Sequence, residues 1–545
     1  MAQERQQSFM KGAAILTAST LIVKILGLLF SIPLANLIDT EGMSYFYAAY
    51  DVFAVFLALS TAGLPIAVSR MVGTAYSQGR KKEADRVFFV AFWLFFGIGL
   101  LGSLLMCFGA WDIAAIYGNP EAAPAIIALA PTMFFISIMS ALRGYFQGRS
   151  NMVPTAVSQT IEAVTKVIIG VGLAVYILRQ YDSSEWAAVG AIIGVSVSAF
   201  LGTLYLVIYK INQNRKDKTV RWEEDTVSAE KKELFVTLLK FAIPITLGSC
   251  LLHILDLIDG GILMNQLQRT AGFSLAEAQD MEALLGHARK FFDLPGAFVI
   301  PISTSLLPVL SGAFASGNRE EVDRISLTSL RVTLLIAIPA SVGMCLFADP
   351  ICRLLLAGSP SAAAGTAPLL SMLSAAIAFN SLLYVTNAIL QSLGRPTTPV
   401  INMTIGGIVK ISLSFVLTGM PQVNVMGASV STVVSYGLIM ILNFIAIRRS
   451  LPNLKGVAKT AVPLLTSAAV MGVISYGAYW GMKLFLSPRV AVLPAIVMAI
   501  VVYAVCVVLF RAVSYDDVVL LPKGETIARL MHIKKEGHTE SGSQE

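Results

Sequence analysis

Nine ionisable side chains stand inside stretches otherwise apolar enough to cross a bilayer: Lys24, Asp51, Glu162, Lys166, Asp256, Asp259, Lys290, Asp293 and Lys410. Lys24 is the most isolated. It sits in KGAAILTASTLIVKILGLLFSIPLANLI (Lys11–Ile38), roughly 13 residues or about 20 Å from either end at ~1.5 Å per residue. A lysine stem of about 6 Å reaches neither interface from there, and an ammonium at the centre of ~30 Å of hydrocarbon costs ~3 kcal/mol or more. Such a group faces water or a partner. Glu162 and Lys166 are spaced i,i+4 and Lys290 and Asp293 i,i+3, so each pair shares a helix face. That spacing fits internal ion pairs as well as a charged patch offered to a ligand. Lys24 and Lys410 have no acidic residue three or four positions away, which points to a watery cavity. Asp256 and Asp259 are candidate partners for these lysines, or a cation or proton site. Together with Asp51, Glu162 and Asp293 they form the coupling or ion-pair candidates.

The elements that must position these charges are membrane helices. The chain has 545 residues, of which 56% are hydrophobic and 13% charged, with mean hydropathy +0.74. A soluble domain carries roughly twice that charge. Fourteen apolar spans are expected: 11–38, 43–73, 87–111, 122–147, 152–178, 185–210, 233–263, 286–315, 326–348, 362–393, 397–419, 425–447, 457–483 and 489–511. The links after the even-numbered spans hold most of the loop cations, among them Arg80, Lys81, Lys82, Arg149, Arg215, Lys231, Arg319, Arg395 and Arg448. Positive links stay inside, so both termini are expected in the cytoplasm of a multi-pass cell-membrane protein. The net charge of +7 is explained by these links and calls for no nucleic acid. Arg70, Arg143, Lys240 and Arg331 lie near the inner ends of their spans, where snorkelling is the default reading and a mouth for an anionic headgroup the other.

An internal repeat organises the spans. SQGRKKEADR (Ser77–Arg86) returns as ASGNREEVDR (Ala315–Arg324), and QGRSNMVPT (Gln147–Thr155) as QSLGRPTTP (Gln391–Pro399). Spans 1–6 therefore repeat as spans 7–12 in parallel orientation. The expected divisions are an N-terminal lobe 1–210, a polar linker 211–232, a C-terminal lobe 233–448, two further spans within 449–511, and a tail 512–545. Gly63 and Pro65 in span 2, and Pro295 and Pro301 in span 8, break regular helix bonding and are hinge candidates. Gly190, Gly194, Ser198 and Gly202 recur every fourth residue in span 6, a close helix-packing face.

Enzyme signatures are sparse. Five scattered cysteines and four dispersed histidines make no metal or disulfide pattern, and the absence of a P-loop argues against direct ATP coupling. Asp39 and Glu41 resemble the acidic pair of membrane glycosyltransferases, but no large outward domain accompanies them.

The segment ARKFFDLPGAFVIPISTSLLPVLSGAFASGNREEVDRISLTSLR (Ala288–Arg331) resembles span 8 and early span 9 of the MurJ-like lipid II flippases. These belong to the multidrug/oligosaccharidyl-lipid/polysaccharide exporter superfamily. VKILG (Val23–Gly27) adds to the resemblance, and GLPIAVSRMV (Gly63–Val72) is similar to the polysaccharide-biosynthesis and spore-wall branch. The resemblance implies an all-α polytopic fold of two parallel six-helix lobes plus two C-terminal helices, working by alternating access without enzymatic turnover. It implies an undecaprenyl-pyrophosphate-linked saccharide as substrate, a lipid II precursor first, and a lipid-tail groove formed with spans 13 and 14. No cofactor or metal is expected, and coupling to membrane potential or to an ion gradient is left open. Membrane lipid is the immediate partner, cell-wall synthesis proteins are candidates, and a monomer is the expected unit. By matching position, Lys24 and Lys290 take the places of family arginines that bind substrate. Two further family arginines appear here as Phe30 and Leu57, which shifts the anion site toward Lys166 and Lys410, with Arg70 and Arg331 at the mouth. The competing readings are a cation-coupled multidrug exporter of the same superfamily and a flippase for another lipid-linked repeat.

Overall fold

The computed structural model describes residues 2–61, 63–217, 230–452, 457–510 and 512. Among them the chain is almost entirely helical. Twelve helices are long and apolar enough to cross a membrane, and Ile22–Leu37 is a shorter apolar helix. The expected span 233–263 lies within a 39-residue helix, Lys231–Arg269. The fold is therefore that of an all-α polytopic membrane protein. Most of the polar linker's centre and of the tail after Ala512 lie outside the described residues.

The helices form two compact units. The first comprises Met1–Gly286 and Ile411–Ala428. Its helices are α1 (Ala2–Leu37), α2 (Thr40–Thr61), α3 (Gly63–Ser77), α4 (Lys81–Phe108), α5 (Ala110–Tyr117), α6 (Ala123–Gly148), α7 (Val153–Thr165), α8 (Gly172–Tyr181), α9 (Ser184–Asp217), α10 (Lys231–Arg269) and the start of α11 (Leu275–Phe292). A 3₁₀ turn, Pro120–Ala122, precedes α6, and a π-helical turn, Lys166–Val171, joins α7 to α8. Asp39 caps α2, its carboxylate accepting the Gly42 N–H at 2.9 Å, and Glu41 accepts the Tyr45 hydroxyl at 2.8 Å. The pair read as weakly glycosyltransferase-like thus has structural employment. Phe95, Met133, Met139, Tyr145 and Phe146 are buried where α4, α6 and their neighbours meet. Leu101, Phe108 and Ile168 point outward, as lipid-facing residues do.

The second unit comprises His287–Lys410 and Ser429–Glu545. It holds α12 (Gly296–Ala315), α13 (Arg319–Leu346), α14 (Ala348–Leu355), α15 (Pro360–Ser392), most of α16 (Thr397–Thr418) and α17 (Met426–Ser450), then α18 (Val457–Met482) and α19 (Pro488–Leu509). Leu330, Leu334, Ile389, Leu390, Leu464 and Val507 join these helices into one core. The repeated motifs fold alike at their turns. Gly79 and Gly317 both take a left-handed φ, 73° and 74°, which a glycine supplies at no steric cost. Asn318 then caps α13 through the Glu321 N–H.

Candidate functional site

In the first unit the expected charges fall into three settings. Lys24 is exposed on α1 beside Ile22 and Ile25, facing away from the unit's own core. Lys166 opens the π-helical turn, half-buried, with its ammonium 5.2 Å from the centre of the Phe30 ring of α1. The turn is brought there by small residues: a β-carbon at Gly194 of α9 would stand 2.2 Å from the Gly170 Cα. Glu162 makes its close ion pair with Arg143 of α6, Nη2 to Oε2 at 3.1 Å, while the Arg143 Nε donates to Ser158 at 3.0 Å. Arg143, expected to snorkel, is instead held inside the unit by this carboxylate. Arg70 is exposed with its guanidinium carbon 4.4 Å above the Phe241 ring of α10. Gly63 opens α3 and Pro65 lies in its first turn, so this hinge candidate coincides with the break after α2. Asp256 is exposed on α10 and Asp259 fully buried.

Asp51 has company that spacing could not reveal. Its Oδ2 is 3.1 Å from the Tyr117 hydroxyl, which lies 2.7 Å from Oε1 of Glu282. Ser44 donates to the other Glu282 oxygen, and Asn119 donates to Ser44 at 2.8 Å. Burial pushes the Glu282 carboxyl up from 4.5 to about 7; hydrogen bonds from Ser44, Tyr117 and Asn119 pull it down, and the Asp51 charge pushes it up again. A single acidic residue in the short stretch between two spans gave the sequence no reason to flag Glu282.

In the second unit Lys290 and Asp293 end α11, Lys290 half-buried and Asp293 exposed. Pro295 caps α12, Pro301 lies within it, and Lys410 is buried on α16. Asn443 of α17 accepts from Asn402 and donates to Asn387, both at 2.8 Å, a polar network bridging α15, α16 and α17. The largest recess described in this unit is an apolar cavity of about 670 Å³ bounded by α12, α13, α18 and α19. Phe298, Pro339, Gly343, Phe347, Met471 and Tyr503 are among its walls. Two cations flank it: Lys290 lies four residues before the lining Leu294, and Arg331 four before the lining Leu335. One helical turn, ~6 Å, separates charge from hydrocarbon wall in each case. This can hold an amphiphile with an anionic end. Among the described residues no group of three or more His, Cys, Asp or Glu is placed to hold a metal ion.

A family model described as polysaccharide biosynthesis protein matches residues 9–314, and one described as MatE matches residues 283–416. Stage V sporulation protein B of Bacillus subtilis (strain 168) is 26% identical over 528 residues, 95% of this chain and 98% of its own. Lipid II flippase MurJ of the same organism is 27% identical over 513 residues, 91% and 93% of the two chains. A solved structure of lipid II flippase MurJ in an inward closed conformation matches with TM-score 0.70 at 18% identity, over 93% of this chain and 100% of that one. At that identity the structural likeness establishes the fold.

Proposed function

The chain belongs to the polysaccharide biosynthesis protein family, and from that membership we propose that it is a flippase. Its substrate in this reading is an undecaprenyl-pyrophosphate-linked saccharide, a lipid II precursor first, moved from the inner to the outer leaflet of the bacterial cell membrane. The full-length similarity to a lipid II flippase and a sporulation protein supports this class. The carrying observation is the apolar cavity of the second unit, flanked by Lys290 and Arg331.

The division of labour follows from physical chemistry. A polyprenyl tail leaving lipid for a protein groove gains little hydrophobic free energy, because lipid chains are as apolar as leucine. The cavity walls therefore align the tail by packing. A pyrophosphate, in contrast, is prohibitively costly in hydrocarbon unless it is paired. Lys24, Lys166, Lys290 and Lys410 supply charge at the depth where it is needed, with Arg70 and Arg331 near the entrance. Lysine is a point charge on a flexible stem and lacks arginine's bidentate fork, which suits a ligand that must be released. The basic links face the cytoplasm and both termini lie inside. Transport runs by alternating access of the repeated halves, driven by membrane potential or an ion gradient.

The test is translocation of a labelled polyprenyl-pyrophosphate saccharide in proteoliposomes, read with a membrane-impermeant probe. Lys24→Ala and Lys290→Ala abolish movement while the proteins insert and unfold as the parent does. Parent rates in both variants would refute the charged-site reading. Overexpression that gives drug resistance without altering lipid-linked sugar orientation would favour the multidrug exporter instead. A panel of lipid II and other lipid-linked repeats separates the substrates.

A further inference from the structure

We propose that the seat of α11 on α2 and α5 is a proton-dependent latch, closed while Glu282 and Asp51 share a proton across Tyr117 and loosened when both carboxyls are charged. It goes beyond transport of any particular lipid.

The seat is tight. A β-carbon at Gly260 of α10 would lie 2.4 Å from the Tyr117 hydroxyl oxygen, and one at Gly286 of α11 would lie 2.2 Å from the Tyr47 ring. Neither contact leaves room for a methyl group. Polar bonds fasten the rim: Gln268 donates to the Gly118 carbonyl at 2.8 Å, Gln279 donates to Asn119 at 3.0 Å, and Thr40 donates to Asp280. Glu282 lies inside the rim at 5% exposure.

Proton counting makes this seat unusual. The Tyr117 hydroxyl has one hydrogen yet stands within hydrogen-bond distance of two carboxylates. It can donate to only one of them. The other contact is attractive only if that carboxyl carries a proton of its own and donates it to the phenol oxygen; otherwise lone pairs oppose each other. The arrangement recurs alongside, where the Tyr45 hydroxyl stands 2.8 Å from Glu41 and 2.9 Å from Glu121. The other titratable groups around the seat are Glu185 on α9, Asp259 on α10, and Asp280 and His287 on α11. Among the described residues no lysine, arginine or histidine forms an ion pair with Glu41, Glu121 or Glu282. Neutralisation therefore falls to protons.

The direction follows by linkage. A carboxyl that holds its proton more tightly when seated than when free favours the seated state in acid. That preference is complete below pH 4.5, falls as pH rises toward about 7, and is gone above it. Over that interval the seated-to-free ratio changes by up to ~300-fold.

The test uses the full chain in detergent, without substrate, its five cysteines replaced and spin labels placed at A276C on α11 and D112C on α5. Pulsed dipolar spectroscopy from pH 4.5 to 8 is expected to show one short distance in acid and a growing longer population as pH rises. E282Q, a permanent mimic of the protonated acid, holds the short distance throughout, and D51N shrinks the response by removing the neighbouring charge. A parent distance that ignores pH would overturn the latch. So would an unchanged transition in E282Q or an undiminished one in D51N. Because no transported lipid is present, this outcome is independent of the flippase reading.

Discussion

Gly194 and Gly202 stand two helical turns apart on α9, and the structure gives them opposite tolerances. A β-carbon at Gly194 would meet backbone: the Gly170 Cα at 2.2 Å and its N at 2.4 Å. Carbon atoms pack at about 3.5–4.0 Å, so α9 and the π-helical turn must part by roughly 1.5 Å, and no rotamer relieves backbone. A β-carbon at Gly202 would meet the Met139 sulfur at 3.2 Å and the Ser158 carbonyl at 3.5 Å. The methionine can swing away. Against both stands the helix-propensity gain of glycine to alanine, ~1 kcal/mol. Gly202→Ala is therefore expected within about 1 kcal/mol of neutral. Gly194→Ala is expected to lose ~2–3 kcal/mol, the upper range of overpacking penalties, even after that gain. Thermal unfolding of the purified protein by tryptophan fluorescence measures both. Because the π-helical turn carries Lys166, translocation is expected to fall in Gly194→Ala and to persist in Gly202→Ala. Equal Tm values for the two variants would refute the reasoning, since one close-packed stripe would then be uniform in spite of its geometry.

Two further predictions follow from local geometry. Gly343 lines the apolar cavity and a β-carbon there meets nothing within 4 Å, so Gly343→Leu folds with unchanged or slightly higher Tm. It slows a full-length polyprenyl substrate by about fivefold, ~1 kcal/mol of lost packing, while sparing a short-tailed analogue; equal slowing of both would remove the tail from this cavity. The half-buried Arg143–Glu162 pair should show a coupling of ~1–2 kcal/mol in a double-mutant cycle of Arg143→Met and Glu162→Gln, larger than the coupling of Glu162 to Lys166. A larger Lys166 coupling would restore the pairing that helix spacing alone suggests.

What the chain's own order of residues determines here is local. Apolar runs of about 20 residues define helices, because every backbone polar group in lipid must be satisfied within its own segment. The returning motifs at Ser77–Arg86 and Ala315–Arg324 specify the same left-handed glycine turn twice. The glycine stripe of α9 declares a contact face. Partnerships were decided only in three dimensions. Glu162 shares a helix face with Lys166 at i,i+4, yet its close ion pair is with Arg143, which crosses from α6. Asp51 could be named as a buried acid, but its neighbours Tyr117 and Glu282 are 66 and then 165 residues farther along the chain. The π-helical turn that positions Lys166 depends on Gly194 pressing against Gly170, a contact between helices. The reason is common to all three. Helix formation and lipid exposure depend on composition within a window, whereas the partner of a buried charge is whichever side chain tertiary packing brings within about 3 Å, at any separation along the chain.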